Sequence, residues 1–288
     1  FLIFLTFKQN RFLYNITAYL SNNLFTNYMT QQYSFHLNNN ISELSKNLQL
    51  EISYFNTYIL HLITIFIEAG FILAILSTLI YIEPFGALSI GFFYSSLSII
   101  FLKLTKKKLK EWGGLREELD KSISKIVIES LGGIKDILIL GKETFYSDQF
   151  SSKTYLKSRI SSNQGTISQI PRFYLELISI IGLVSFIILM VFNGETSTKL
   201  VTVLGVFVAA TFRMIPSLNR ILAAVQSLKF YQPSINIIYN ENKKIKNAKT
   251  QNRAKYKFKS KIKFEKVDFG FNQNKNVLNK VDLDINIG

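Results

Sequence analysis

Apolar residues in this chain gather in runs long enough to cross a bilayer. A membrane-crossing helix needs roughly 20 consecutive, mostly apolar residues. Four stretches meet that length. Ile59–Ile82 is broken only by His61 and Glu68, and Pro84–Leu102 carries no charge. Phe173–Phe192 contains the charged residue Glu176, and Leu200–Leu222 contains Arg213 and Arg220. Phe1–Phe7 reads as the tail of an earlier span.

The connections between these runs keep a helical pattern. Residues 8–58 and 103–172 are long and polar, and in the second Leu115, Leu119, Ile123, Ile126 and Ser130 recur every three to four positions. Glu117 and Lys121 stand four apart, a favourable pair on one helix face. The spans are therefore expected to continue well beyond the membrane. At the far end of the second connection, Gly132, Gly133 and Gly141 bracket a short segment, with Ile134, Ile137 and Leu138 on one apolar face. The first connection has a counterpart tip, QQYSFHLNNNISEL. A short amphipathic helix at such a tip needs something to dock on, and two tips on one side imply one soluble partner domain.

After Tyr239 the composition turns polar and charged, as in a linker. Alternation then sets in at Ile262 and Phe264, shifts by one residue at Val267, Phe269 and Phe271, and resumes at Val281, Leu283, Ile285 and Ile287. The shift predicts a β-bulge, and Asn272–Asn276 predicts the turn. The expected division is residues 1–242 for a transmembrane unit, 243–260 for a linker and 261–288 for the opening of a β-rich soluble domain. The chain starts on Phe1 and stops at Gly288 inside a strand pattern, so both ends read as cuts.

Charge then fixes orientation. The formal net charge is +15, yet Lys103, Lys106, Lys107, Lys108, Lys110, Lys153, Lys157 and Arg159 fall between the second and third spans, and Lys229, Lys243, Lys244 and Lys246 follow the last. The short connections on the opposite side carry only Lys199. Lys and Arg collect on the cytoplasmic side, so 8–58 and 103–172 are expected there, with 83–86 and 193–199 outside. The positive charge is thus a topology signal, not a nucleic-acid footprint. With no Cys and two His, thiolate chemistry and a His-rich metal site drop out. No Ser/His/Asp triad or paired-carboxylate site is credible, and no metal site is expected. The two Asn-X-Ser/Thr sequons, at Asn15 and Asn40, fall on the cytoplasmic side.

Taken together, spans with long extensions, two tips, a basic linker and IKFEKVDFGF…NVLNKVDLDINIG resemble ABC exporters of the six-span half-transporter type. The resemblance implies an all-α membrane protein: a helix bundle with long cytoplasmic extensions, followed by the truncated β-strand start of an ABC nucleotide-binding domain. It implies ATP and Mg2+ as cofactors, held by the missing part of that domain. Phe271 takes the place of the aromatic that stacks on adenine, where Tyr is commoner. No G-x-x-x-x-G-K-[ST] loop occurs, since Gly141-Lys142 lacks the earlier Gly and is followed by Glu143. Hence no catalytic residue is expected within these residues. GGIKDILILGKETFYSDQF, PRFYLE and FRMIPSLNRIL further resemble PglK-type flippases, homodimeric half-transporters moving lipid-pyrophosphate oligosaccharides across the bacterial inner membrane. Peptide or lipid exporters of the same fold are the alternatives. From another class come a non-ATPase secondary transporter and a membrane scaffold.

The charged residues within the spans are the candidate cavity. Arg213 and Arg220 are seven apart, two turns along one face. Intramembrane Arg is costly and usually functional. Either the pair meets cargo, or Arg220 snorkels to the interface while Arg213 pairs with an acid. Counted from the outer helix ends, Glu68 lies level with Arg213 and is the acid expected to pair with it. Glu68 and His61 alone are too few ligands for a metal. Arg172 and Glu176 form an i,i+4 pair, and the flippase resemblance adds Arg172 to a basic cavity lining. Pro171 is expected to start a helix, and Pro216 to kink or loosen one.

Overall fold

The computed structural model describes residues 2–82, 84–192, 197–247, 261–270 and 276–286. Long helices dominate them. Helix α1 covers Leu2–Met29, followed by two short helices, α2 (Tyr33–Asn38) and α3 (Ile41–Lys46). A π-helical turn, Asn47–Glu51, leads into α4 (Ile52–Ile82). Then come α5 (Pro84–Gly132), the short α6 (Ile134–Ile139), α7 (Glu143–Phe192) and α8 (Ser197–Asn247). Strands β1 (Lys261–Phe269) and β2 (Leu278–Asn286) pair antiparallel.

Helices α5, α7 and α8 hold 49, 50 and 51 residues. At 1.5 Å per residue each is roughly 75 Å long, more than twice a bilayer's hydrocarbon core. The apolar runs and the polar connections are therefore single continuous helices, as their shared period predicts. The two expected tips are α2 and α6. Asn40 caps α3, its side chain accepting from the Ser42 backbone N–H at 2.9 Å and from the Ser42 hydroxyl at 2.7 Å. That accounts for the Asn40-Ile-Ser sequence without any glycan.

Four spans were expected. Among the described residues one helical stretch, Ile41–Tyr81, is long and apolar enough to cross a membrane by length and composition. Only 6% of its most apolar window is buried inside the protein, unlike the core helix of a soluble domain. The other three runs lie in α5, α7 and α8, and the outer connection 193–196 falls outside the described residues. Both prolines also sit inside helices. Pro171, expected at a helix start, is fully buried within α7, and Pro216 is within α8 together with Pro233. Helix α8 likewise runs on to Asn247, past Tyr239, where a linker was expected.

Among the described residues, helix α8 contributes to each of four apolar clusters. Met214 packs with Leu79 of α4, and Leu222 with Tyr94 of α5 and Leu175 of α7. Phe230 joins Leu119 of α5 and Ile160 of α7, and Ile238 joins Leu24, Tyr28, Leu44 and Ile52 at the base. These four contacts recur every eight residues, about 80° further round a helix of 3.6 residues per turn each time. Helix α8 consequently buries a different face at each level. Its partner α4 runs antiparallel, Tyr54 stacking on Tyr231 while Leu79 lies by Met214.

The hairpin carries the expected bulge. Phe264 pairs with Leu283, then the register shifts to Val267 with Val281 and again to Phe269 with Leu278. Lys266 and Lys280 adopt positive φ, 43° and 46°, uncommon for non-glycine residues. Each is held by an aspartate across the ladder. Asp282 accepts the Lys266 N–H at 2.7 Å and Asp268 accepts the Lys280 N–H at 2.8 Å.

One close approach sets the spacing of α5 and α8. A Cβ on Gly113 would fall on the carbonyl oxygen of Phe230, far inside contact distance, whereas a Cβ on Gly114 would meet nothing. Helix propensity favours Ala over Gly by about 1 kcal/mol at either position. Gly114→Ala should therefore raise the thermal midpoint of the detergent-solubilised protein. Gly113→Ala should lower it, because overpacking costs about 1–3 kcal/mol. Parallel shifts of the two variants would mean that α5 and α8 do not approach at Gly113.

Candidate functional site

Glu68 and Arg220 face each other across the α4–α8 seam. Arg220 Nε lies 2.6 Å from Glu68 Oε1, and Nη2 donates to Oε2 at 3.2 Å, a two-pronged pair. The Glu68 side chain is nearly buried, while that of Arg220 is about half exposed. This corrects the expected Glu68–Arg213 pairing. Counting from the outer ends assumed that those ends were level. The packed register, set by Tyr54 on Tyr231 and Leu79 by Met214, brings Arg220 to Glu68 instead. Arg213 is exposed, with its guanidinium 5.0 Å from the centre of the Phe71 ring. No carboxylate pairs with it among the described residues. Phe71 is one turn along α4 from Glu68, so both arginines meet the same face of α4.

Arg172 binds Glu176 of its own helix at 2.9 Å, and both side chains are exposed. This is the local pair that the spacing predicts; no ion pair links it to Arg213 or Arg220. His61 is partly buried on α4, and no metal-capable cluster occurs among the described residues. Phe271 lies outside the described residues.

At the α6 tip the three expected docking residues separate. Ile137 is 8% exposed and turns inward, lining a cleft of about 250 Å³ with Ile126, Ser130, Tyr146 and Phe150. Ile134 is partly open, and Leu138, Ile139 and Leu140 face outward, with Leu138 58% exposed. The apolar surface available to a partner is thus centred on Leu138, while Ile137 anchors the tip to α5 and α7.

The expected Glu117–Lys121 pair is replaced by contacts between helices. Glu117 takes Lys46 at 2.8 Å, and Lys121 takes Glu43 at 3.1 Å. Lys46 also lies 3.1 Å from Glu51, and both side chains are buried. The π-helical turn between them places positions i and i+5 on one face. Buried Tyr28 donates to Glu241 at 2.9 Å, fastening α1 to the end of α8. Burial foremost pushes the Tyr28 pKa up, which keeps the phenol a neutral donor.

A buried charged cluster had no counterpart in the sequence reading. Arg116 of α5 is fully buried among Tyr54, Tyr231 and Phe230, with ring centres 4.0, 5.2 and 5.4 Å from its guanidinium carbon. It donates to Ser234 at 3.0 Å and lies 3.8 Å from buried Asp120. Lys157 of α7 reaches Asp120 at 2.5 Å. Burial works against the Lys157 ammonium, but the hydrogen bond and charge of Asp120 outweigh it and hold its pKa above the ordinary lysine value. One cluster therefore ties α4, α5, α7 and α8. The signal in the sequence was Gly113-Gly114 in EWGGLREELDK, because a glycine pair inside a helix needs a packing reason. The surrounding charges disguise it as a solvated face.

No family model matches the sequence. The structure is similar to that of a bacterial Atm1-family ABC exporter solved with ATP bound, with a TM-score of 0.67 over 96% of this chain. The chain has the fold of an ABC exporter. Sequence identity to that protein is 16%, and the chain spans 49% of its length. Within the exporter fold, the Glu68–Arg220 pair and Arg213 lie along the bundle, α2 and α6 at the tips, and the Arg116 cluster on the long extensions between them. The two-stranded sheet fits the start of a nucleotide-binding domain.

Removing the buried acid should expose the cluster's role in holding the extensions. Breaking a buried pair by deleting one partner costs about 3–5 kcal/mol. Asp120→Asn should lower stability by about 3 kcal/mol in thermal unfolding. Adding Arg116→Met should restore part of the loss, because the uncompensated charge goes with it. Additive losses would show that Arg116 and Asp120 do not interact.

Proposed function

We propose that this chain is the membrane-spanning half of an ATP-driven ABC exporter that flips a lipid-pyrophosphate oligosaccharide or a related amphipathic anion. Residues 1–242 form the transmembrane unit, 243–260 a linker whose first residues continue α8 as far as Asn247, and 261–288 the opening of the ATP-binding domain. It works as a homodimer in the bacterial inner membrane, with ATP and Mg2+ held by the rest of the nucleotide-binding domain and Phe271 stacked on adenine. The exposed apolar tip around Leu138, with Ile134 beside it, docks on that domain.

The observation that carries the anionic cargo is the inequality of the arginines. Arg220 is neutralised by Glu68, and Arg172 by Glu176. Among the described residues Arg213 has the face of Phe71 and no acid. A guanidinium without an acid beside an apolar span is costly, and a water-filled cavity or an anion relieves that cost. Pyrophosphate suits it, since Arg offers planar, two-pronged hydrogen bonding where Lys offers a point charge. In this reading Arg213 meets the head group, and the Glu68–Arg220 pair sets the width of the seam.

Reconstituted flipping of a fluorescent lipid-pyrophosphate oligosaccharide separates these roles. Arg213→Ala should abolish flipping and Arg213→Lys should keep a fraction. Glu68→Arg combined with Arg220→Glu should restore what either single change loses. Full flipping by Arg213→Ala would exclude a pyrophosphate contact and favour a peptide or neutral-lipid cargo.

Orientation has its own test. The chain contains no Cys, so a single introduced thiol reports its own side. Lys107→Cys should resist a membrane-impermeant maleimide in intact cells and react after permeabilisation. Labelling in intact cells would reverse the topology.

A further inference from the structure

A groove of about 170 Å³ runs between α5 and α8, apart from the Arg213 seam. Its wall is apolar, formed by Ile99, Leu102, Leu109 and Val225. Its rim carries Lys103 and Lys106, one turn apart on α5, and Lys229 on α8. It holds no acid, and none of these lysines forms an ion pair with a described residue. Gln226 also lines it, fully buried, with neither amide atom hydrogen-bonded. A buried amide without a partner is costly and marks a place where a polar ligand atom is expected. The groove sits where the uncharged run Pro84–Leu102 gives way to the lysine-rich segment of α5. Apolar wall and cationic rim thus meet at the level where a bilayer changes from acyl chain to head group.

We propose that this groove binds an anionic phospholipid of the cytoplasmic leaflet. The phosphate sits among the three ammonium groups and within reach of the Gln226 amide, and the start of an acyl chain lies along Ile99, Leu102 and Val225. Charge complementarity selects the lipid. Three lysines border the groove with no acid among its lining residues, and Lys near a membrane surface attracts anionic lipid. A zwitterionic lipid cancels most of that attraction. The site sits apart from the transport path and rests on the topology proposed above.

The test uses the intact protein, delipidated in detergent and offered vesicles of phosphatidylglycerol and phosphatidylcholine, with retained lipid counted by native mass spectrometry. Wild type should retain phosphatidylglycerol selectively. Changing Lys103, Lys106 and Lys229 together to Gln should weaken that retention about tenfold or more, leaving phosphatidylcholine unaffected. Val225→Trp, which fills the apolar wall and keeps every charge, should weaken it too and covers the case in which the triple variant folds poorly. Equal retention of both lipids by wild type, or unchanged selectivity in both variants, overturns the proposal. Displacement of the lipid by millimolar glycerol phosphate would make a soluble phosphate the occupant and also overturns it. Efficient disulfide linkage between two copies of Val225→Cys would show that a second chain covers the groove, with the same consequence. Equal retention of both lipids by wild type, with Lys107→Cys still protected from outside, removes the groove alone. Labelling at Lys107 removes the topology on which it rests.

Discussion

The approach of α5 to α8 at Gly113 is the contact on which the long extensions depend. With no side chain there, the α5 backbone comes against the Phe230 carbonyl, and three residues further on Arg116 enters a cage of Tyr54, Phe230 and Tyr231. A buried guanidinium is tolerable only when its charge is answered. Asp120 answers it, and Asp120 in turn draws in Lys157 from α7. Glycine spacing, aromatic caging and charge pairing are therefore one arrangement. Relaxing any of them leaves a charge buried without its partner.

From that crossing the architecture follows α8. Its buried contacts, Met214, Leu222, Phe230 and Ile238, rotate around the helix as they climb, so each level packs against a different combination of neighbours. A helix used in this way has no single apolar stripe, and its amphipathicity is blurred. The same geometry explains why the long helices stay helical through Pro171, Pro216 and Pro233. Packing at several levels holds the helix where an isolated one would break.

Charge in the bundle is divided by depth and by partner. The Glu68–Arg220 pair joins α4 to α8 in the apolar zone, and Arg213, nearer the N-terminal end of α8, meets an aromatic face and no carboxylate among the described residues. On the extensions, Lys46, Glu51, Glu117, Lys121 and Glu43 join α3, the π-helical turn and α5 through pairs that are buried near Lys46 and open to water near Lys121. The Arg116 cluster and the Tyr28–Glu241 bond fasten the long helices at their middle and base.

The sequence by itself determined the long helices, the two tips and the bulged hairpin, and it set the expectation for orientation. These are written in local patterns: apolar runs, the three-to-four period, glycine punctuation, strand alternation and lysine placement. The Arg172–Glu176 pair was legible for the same reason, since both partners share one helix turn. What joins helix to helix was not. Glu68 with Arg220, Glu117 with Lys46, the inward turn of Ile137 and the caging of Arg116 depend on the axial register and rotation of long helices. A shift of one or two turns costs nothing in local pattern but exchanges every partner across a seam. Only side-chain packing along α8 from Met214 to Ile238 fixes that register, and so only the tertiary structure decided which charges are answered and which are left facing outward.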